Sequence, residues 1–483
     1  MKLSTLLFTT ASAGFAALPS VGPDYTRPTT PAPATYRDAE NSGTWKTATP
    51  ADALPRGAWW TIFADPTLDD LESRALDANQ DLRAATARVE QARAIAGLAR
   101  SAYFPSVAID GSVSRARSSG TADNVLPHQQ STTYRGAFDS SWELDLFGRV
   151  RRLNESARAD AAALGATFEA VRLALTAEVA TNYFLLRALD AEIALLDDAV
   201  GLRRRALDLV LARQRGGSAT DFDQARSETE LAATEAEGIA LANRRSALQN
   251  ALAVLIGEPA SSFALPALAQ PSSPPPSIPS GLPSDLLERR PDIAAAERTL
   301  AAANARIGVA KAAFFPAISL TGSAGYASAD VDQLFKTDSR IWSIGPSLYL
   351  PIFQGGRNRA NLARSRAAFE ESVANYRQQV LVAFREVQDA LTASKLLADQ
   401  ASAQARAVAS ARRGVSLSQT RYDAGFVNYL EVIDAQRTAL EVERADAQLI
   451  GQRWITHISL IKALGGGWQP AAALTGTFSQ AQH

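Results

Sequence analysis

Two carboxylates near the end of the chain stand three residues apart, shortly after a glycine turn. They are Glu431 and Asp434 in QTRYDAGFVNYLEVIDAQ, residues 419 to 436. On a helix this spacing puts both side chains on one face. Acids in a first helical turn also cap backbone N–H groups and complement the helix dipole. The pair therefore predicts either a helix cap or a negatively charged face that attracts cations.

A second stretch repeats the pattern about two hundred residues earlier. LARQRGGSATDFDQARSE, residues 211 to 228, has a basic helix end, a glycine turn and a short polar link. Thr220 and Asp223 then have the spacing of a capping box. Gly217 lies in this turn, and Gly425 lies in the later one. The sequence predicts two helical hairpins of the same design.

Residues that carry out chemistry are scarce. The chain has no cysteine, which excludes disulfides, thiolate metal sites and cysteine nucleophiles. Its three histidines, His128, His457 and His483, are far apart and lack HExxH spacing, so no histidine metal site is predicted. The formal net charge of -1 gives no reason to expect a nucleic-acid partner. We predict no cofactor and no enzymatic activity.

The two hairpins belong to two copies of one unit. At an offset of 211 residues, the segment 76–111 aligns with the segment 287–322, and the hairpins align at an offset of 208. The sequence thus predicts repeat 1 at 21–257, a proline-rich connector at 258–283, repeat 2 at 284–468 and a tail at 469–483. We expect the connector to be extended on the surface.

Each repeat has the same predicted order of a helix, two strands, a very long helix and a second helix. In repeat 1 these are 66–102, about 104–117, about 133–147, 148–215 and 220–256. In repeat 2 they are 284–313, about 315–328, about 340–353, 356–422 and 428–464. Apolar residues at spacings of three and four predict coiled-coil seams in the long helices: Leu186, Leu189, Ile193, Leu196 and Val200, and Val373, Tyr376, Val380, Phe384 and Val387. At 1.5 Å per residue each long helix is about 100 Å long.

The residue pattern of the predicted strands indicates that they lie in a membrane. Tyr134, Phe138 and Trp142 alternate with polar residues, and the other strands alternate in the same way between bounding aromatic residues. Residues 1–20 have an apolar run that is too short to span a bilayer and predict a secretory signal peptide. Four alternating strands behind a signal peptide favour an outer-membrane barrel over a soluble sheet. Four strands cannot close a barrel, so chains must share one, with two chains giving eight strands or three giving twelve.

Several stretches together resemble the TolC-like outer-membrane factor family, in the branch that serves resistance-nodulation-division (RND) efflux pumps. They cover the chain after the signal peptide: VGPDYTRP (21–28), WWTIFADPTLDDLESRAL (59–76), LPSDLLERRPDI (282–293), AAFFPAISLTGSAG (312–325), YDAGFVNYLEVIDAQR (422–437) and ALGGGW (463–468). The resemblance implies an α+β membrane protein in which a homotrimer builds one twelve-stranded transmembrane β-barrel in the outer membrane. A long periplasmic helical barrel with an equatorial domain continues it.

The resemblance also implies a function and partners. Members are passive exit ducts for drugs and other small toxic molecules, served by a periplasmic adaptor and an inner-membrane RND pump. This branch commonly has a lipidated cysteine just before the VGPDY stretch. Here Ser20 stands in that region, so we expect no N-terminal lipid anchor.

The same resemblance assigns roles at the hairpins. Asp223 and Tyr422 match a carboxylate and a tyrosine that help to hold neighbouring hairpins closed, and Glu431 and Asp434 match acids that ring the periplasmic aperture. The family archetype has an arginine where this chain has Val427, so we expect a tyrosine contact or an apolar ring as the latch. Threefold symmetry would crowd six carboxylates, which raise one another's pKa and favour cations.

Other interpretations remain open on the sequence alone. Asn428 with Glu431 has capping-box spacing, as Thr220 with Asp223 does, so both acids have an ordinary structural role available. The architecture could also serve type I protein secretion or metal-ion efflux. The LPSDLLERRPDI stretch argues against the former, and the lack of methionine beyond Met1 argues against copper or silver. A periplasmic coiled-coil adaptor without a pore is a further alternative, which predicts a soluble protein.

Overall fold

The computed structural model describes residues 20–29, 57–119, 130–268, 290–427 and 429–466. The signal peptide up to residue 19, most of the connector, the tail, His128, His483, Asn428 and the start of the helix predicted from 284 lie outside these residues. The chain divides into two compact units. The first comprises the described parts of Met1–Thr29, Arg88–Gly165 and Ala295–Arg377, and the second those of Thr30–Ala87, Ala166–Ala294 and Gln378–His483.

The order of the described elements is the same in both repeats. Repeat 1 has α1 (Pro66–Ala78), α2 (Gln80–Ser101), β1 (Ser106–Arg117), β2 (Gln130–Leu144), α3 (Arg149–Arg215) and α4 (Asp221–Leu255). Repeat 2 has α5 (Pro291–Ala312), β3 (Ala317–Ser328), β4 (Arg340–Tyr349), α6 (Arg357–Asp423) and α7 (Tyr429–Ala463). Among the described helices, none is long and apolar enough to cross a membrane.

The strands form one antiparallel sheet in the first unit, in the order β1-β2-β3-β4. Its register separates apolar from polar residues. One row across the sheet contains Ile109, Phe138, Ala324 and Trp342, and the next row, on the other face, contains Ala108, Asp139, Ser323 and Ser343. Apolar side chains on the first face are 66% to 79% exposed in the single chain: Val107, Ile109, Val113, Trp342, Ile344 and Leu348. An exposed apolar face of this size marks a surface that another phase or protein covers.

The polar face is held by contacts between strands. Arg135 donates hydrogen bonds to Asp139 at 3.2 Å and to Ser323 Oγ at 2.9 Å. Because Arg135 and Asp139 lie on β2 and Ser323 lies on β3, the second bond crosses from repeat 1 to repeat 2. The polar side of the sheet is therefore an ordered surface rather than a set of solvated side chains.

Two strands end earlier than predicted. β2 ends at Leu144, not 147, because Asp145 serves the start of α3: its carboxylate accepts the backbone N–H groups of Val150 at 3.0 Å and Arg151 at 2.8 Å. β4 ends at Tyr349, not 353, since Pro351 has no N–H to continue the ladder.

The helix predicted over 66–102 is wrong in one respect, because it is broken at Asn79. The backbone of Asn79 is extended, its side-chain amide donates to the carbonyl of Leu255 at 2.9 Å, and its side-chain oxygen accepts the N–H of Leu82 at 3.0 Å. Asn79 thus ends α1 and caps α2 with one side chain. Nothing in the helical periodicity reveals this break.

The second unit has an aromatic core. The rings of Phe184 and Trp454 are stacked with centroids 4.4 Å apart, and Phe63 packs edge-on against both. Trp59 donates its indole N–H to Thr176 Oγ1 at 3.1 Å. Trp59 and Phe63 of this core belong to one 3₁₀ turn, Trp59–Phe63. Aromatic pairs of this geometry contribute about 0.5–1.5 kcal/mol beyond their buried area.

The two predicted seams differ in burial. All five seam residues of α6 are buried, from Val373 to Val387. On α3, Leu186 and Leu196 are buried, whereas Leu189, Ile193 and Val200 are only partly buried. The α3 face also buries an ion cluster, in which Asp190 pairs with Arg187 at 3.0 Å and with Arg245. The seam on α3 is therefore wider and more polar than the apolar pattern predicts.

Glu72 is a buried acid on α1. The residue is fully buried, and both carboxylate oxygens lack a hydrogen-bond partner among the described residues. Burial, together with nearby Asp69, raises the pKa of Glu72 to about 9. Because this pKa lies above that of the unfolded chain, the folded protein keeps a proton that the unfolded chain loses, and stability falls as pH rises from about 4.5 towards 9.

We therefore predict that Glu72→Gln stabilises the protein increasingly with pH. The gain relative to wild type should be near zero at pH 4.5 and on the order of 3 kcal/mol at pH 7. Thermal unfolding in detergent between pH 5 and 9 measures it. The exposed acid Glu90 provides the control, since Glu90→Gln should not change the pH dependence. A pH-independent difference between wild type and Glu72→Gln would contradict the prediction.

Candidate functional site

Both hairpins in the second unit turn on the same backbone geometry. Gly217 and Gly425 have φ of +76° and +79°, in the left-handed region that favours glycine. After each glycine, the next N–H donates to the carbonyl five residues back, at 2.8 Å in the first hairpin and 2.9 Å in the second. This is the Schellman motif that closes a helix C-terminus. The two turns thus share one backbone conformation, which glycine accommodates.

The first hairpin has the predicted capping box. Thr220 Oγ1 accepts the N–H of Asp223, and Asp223 accepts both the N–H of Thr220 at 2.9 Å and its hydroxyl at 2.8 Å. These hydrogen bonds hold the pKa of Asp223 below its usual range. Asp223 is therefore a helix cap within its own hairpin.

The second hairpin pairs its acids with arginines. Glu431 accepts a hydrogen bond from Arg421 at 2.6 Å, which joins the end of α6 to the start of α7. Asp434 accepts one from Arg437 at 2.6 Å within α7. All four side chains are exposed, so each pair contributes at most about 1 kcal/mol. The charges of these two pairs are balanced, whereas the sequence pattern predicted either a helix cap or a negatively charged face.

Tyr422 lies at the centre of an aromatic contact. Its ring is 5.1 Å from that of Tyr429, and the guanidinium of Arg213 lies 5.3 Å from its centroid. Burial and nearby Tyr422 raise the pKa of Tyr429. The Tyr422 hydroxyl is buried and has no hydrogen-bond partner among the described residues. Through Arg213 the end of α3 contacts the end of α6, so the two hairpins touch within one chain.

The structure brings some of the predicted residues together and not others. Glu431 and Asp434 line one open groove of about 580 Å³, together with Arg226 of α4. No hydrogen bond between Asp223 and Tyr422 occurs in the described part of the chain. Sequence reasoning noted the basic helix ends at the hairpins but missed the partners of their arginines. The repeat offset was the available signal, because Arg213 and Arg421 occupy equivalent positions 208 residues apart.

The described residues of the hairpins do not form a cluster of metal-ligating side chains. Within residues 20–29, 57–119, 130–268, 290–427 and 429–466, no group of three or more His, Cys, Asp or Glu side chains could hold a metal ion. His457 packs in α7, where its Nδ1 lies 2.7 Å from the carbonyl of Arg453 and burial lowers its pKa. The arrangement forms charged and aromatic contacts at the hairpin ends.

A small antiparallel sheet whose strands alternate with two long helical hairpins defines the class of TolC-like outer-membrane channels. The chain belongs to the outer membrane efflux protein family, whose model matches residues 71–258 and 282–466. The α+β channel fold and the family predicted from the sequence are thus confirmed.

The similarity to known proteins extends over almost the whole chain. The chain is 36% identical to the solvent efflux pump outer membrane protein SrpC of Pseudomonas putida, with 93% of this chain and 95% of that protein covered. It is 35% identical to the cation efflux system protein CusC of Escherichia coli O6:H1, with 93% and 96% covered. The outer-membrane channel OprN superposes with a TM-score of 0.83 at 32% identity, over 93% and 100% of the two chains. The open state of the Neisseria gonorrhoeae MtrE outer membrane channel gives 0.78 at 31% identity, over 93% and 98%.

Family membership places the protein in the cell outer membrane as the channel of a tripartite efflux system. Its partners are two further copies of the chain, a periplasmic adaptor and an inner-membrane pump. The adaptor-without-pore interpretation is therefore wrong. The relatives are efflux channel proteins rather than enzymes.

We predict that the turn glycines are required for their positive φ. Gly425→Ala should destabilise the second hairpin by about 1 kcal/mol, because a Cβ is disfavoured at this backbone conformation. Hydrogen exchange of the amides around 420–432 measures the change, which should raise their exchange rates about fivefold.

Gly414 is the matched control for this variant. It lies inside α6, has no positive φ, and a Cβ added there would meet nothing within 4 Å. Gly414→Ala should leave exchange unchanged or slow it, because alanine is the better helix former. Equal effects of the two substitutions would contradict the prediction.

Proposed function

We propose that the duct passively carries drugs, solvents or other small toxic organic molecules, and that its two hairpin ends form the periplasmic aperture. The exposed acid–arginine pairs at the second hairpin support this most directly. They place equal numbers of positive and negative side chains where the chain turns back, and exposed ion pairs can rearrange. Relatives named for solvent and toluene efflux support the substrate class. No residue of this duct acts on its cargo chemically, and no cofactor is needed.

Metal-ion efflux is the second candidate, since the CusC relative is almost as similar as the solvent-efflux relatives. Soft metal ions such as Cu(I) are bound by thiolate and thioether ligands. This chain has no cysteine and one methionine, Met1. That composition argues against soft-metal handling along the duct wall, and the organic substrate class remains the better supported. The LPSDLLERRPDI stretch argues against a duct for protein secretion.

The gate we propose consists of Asp223, Tyr422, Glu431 and Asp434, with the turns at Gly217 and Gly425. Three chains would bring six hairpin ends around one axis. In the closed state, exposed residues make the contacts between hairpin ends, so these contacts break easily. Glu431 with Arg421 ties one hairpin to itself, and Tyr422 has a buried hydroxyl available as a donor. With Val427 in place of an arginine, the latch between chains is aromatic and apolar rather than ionic.

The arginine partners change the selectivity that we expect. Arg421, Glu431, Asp434 and Arg437 sum to no net charge per chain, so the closed aperture should prefer cations only weakly. Removing the acids would leave six unpaired arginines in the trimer, and removing the arginines would leave six unpaired acids. Selectivity should therefore shift in opposite directions in the two variants.

Single-channel currents in a planar bilayer under a salt gradient test this proposal. We expect a small conductance for wild type, an anion-preferring channel for Glu431→Gln with Asp434→Asn, and a cation-preferring channel for Arg421→Gln with Arg437→Gln. The reversal potential should change sign between the two double variants. Either double variant should also conduct more than wild type, because ties at the aperture are lost.

An acid elsewhere on the same helix serves as the control. Glu441 is exposed on α7, and Glu441→Gln removes the same charge outside the proposed aperture. It should leave conductance and reversal potential as in wild type. If the two double variants behave like this control, the acids are helix-end residues only and the aperture lies elsewhere. If no preparation conducts, the duct itself is in question.

A further inference from the structure

Arg290 and Asp292, within the sequence stretch ERRPDI, form an ion network that the proposed aperture does not use. The Arg290 side chain is only 7% exposed. Its guanidinium binds both carboxylate oxygens of Asp292, at 3.0 Å and 2.5 Å. It also donates to Glu386 at 2.6 Å and to the carbonyl of Ala463 at 3.0 Å. A buried arginine with its donors divided among three acceptors is held in one geometry.

These acceptors lie on three different helices of the second unit. Asp292 is in the first turn of α5, Glu386 is in α6, and Ala463 is the last residue of α7. Asp292 also accepts a hydrogen bond from Gln379 of α6 at 2.7 Å. One side chain therefore fixes the start of α5 to both helices of the second hairpin. This contact lies far along the helices from the turn, in the part of the hairpin that we call its root.

Repeat 1 has the same joint in an uncharged form. Asn79 is 211 residues before Arg290, and it donates to the carbonyl of Leu255, which is 208 residues before Ala463 and likewise ends its helix. The residue equivalent to Glu386 is Glu178, which is exposed. The two roots are thus equivalent in backbone, but only the second is held by buried charge.

We propose that Arg290 is the positioning residue of the second hairpin, so that its ion network determines where the Tyr422 and Glu431 end of that hairpin stands. This inference rests on the proposed aperture. Along α6, Tyr422 is 36 residues beyond Glu386, which is about 54 Å of helix. A tilt of about 3° at the root would move the end by about 3 Å, enough to break a hydrogen bond.

The uncharged joint of repeat 1 suggests which substitution of Arg290 tests this inference. Arg290→Asn keeps a donor of the type that Asn79 supplies but removes the charge and leaves Asp292 and Glu386 without a counter-ion. We expect at least tenfold faster hydrogen exchange at residues 379–391 and 458–466, and more frequent spontaneous opening in single-channel records. Glu386→Gln, which keeps the Arg290–Asp292 pair, should give the same changes to a smaller extent.

Arg74→Gln is the matched control. Arg74 of α1 also pairs with two carboxylates, Asp70 of the same helix and Glu258 just after α4, but its side chain is 35% exposed and neither partner belongs to the second hairpin. It should change neither exchange at the root nor opening. Arg290→Lys keeps the charge without the fork and should fall between wild type and Arg290→Asn.

The two readouts separate this inference from the proposed function. Unchanged exchange at the root in Arg290→Asn would overturn the role of Arg290, whatever the channel does. Faster exchange with unaltered opening would show a structural joint without influence on the aperture, and would also overturn the inference. If wild type does not conduct at all, the aperture proposal fails, and the exchange data alone decide whether the network holds the root. Trimers that resist dissociation in detergent show that the variant has folded.

Discussion

The backbone groups at the two edges of the sheet impose the constraint on which the assembly depends. β1 and β4 each have one neighbour within the described sheet, so their outer N–H and C=O groups need other partners. In a hydrocarbon environment an unpaired backbone group costs several kcal/mol, and only a closed barrel removes sheet edges. The apolar face of the sheet, with Ile109 and Trp342 exposed, requires such an environment. Trimer formation is therefore part of folding: three copies give twelve strands and leave no edge.

Duplication gives one chain a four-stranded sheet, because β2 of the first repeat pairs directly with β3 of the second. The same duplication produced two hairpins whose backbones still agree. Both turns use a glycine at φ close to +80°, a conformation that is strained for most residues with a Cβ, so few substitutions are tolerated there. Side chains were free to diverge. Gln214 contacts Asp221 in the first hairpin, whereas Tyr422 and Tyr429 take these positions in the second. The trimer therefore presents two chemically different kinds of hairpin around one axis.

The sequence predicts features that depend on periodicity or on backbone conformation. Strand alternation predicted the separation of apolar and polar residues onto the two faces of the sheet, and the Schellman glycines and the Thr220–Asp223 cap follow from local spacing. Features that depend on the choice among several partners could not be predicted. Arg421 could have paired with many acids, and only the fold selects Glu431. Asn79 breaks a helix because it meets the carbonyl of Leu255, a contact 176 residues away in sequence. Glu72 looks like a surface acid beside Asp69 and Asp70, and only the structure reveals that it is buried.

The distribution of stabilising contacts suggests why such a duct can open at its end without unfolding. The second unit has its strongest packing at the stacked Phe184 and Trp454 and at the buried ion clusters of Asp190 and Arg290. The hairpin ends have exposed ion pairs, which contribute little, and apolar residues such as Phe222 and Phe426 that are more than two-thirds exposed. Regions with few buried contacts open at low free energy while the core remains folded. In the proposed gate, a partner that covers the exposed phenylalanines would therefore favour rearrangement of the ends, whereas movement of the roots would cost the loss of buried charge pairs.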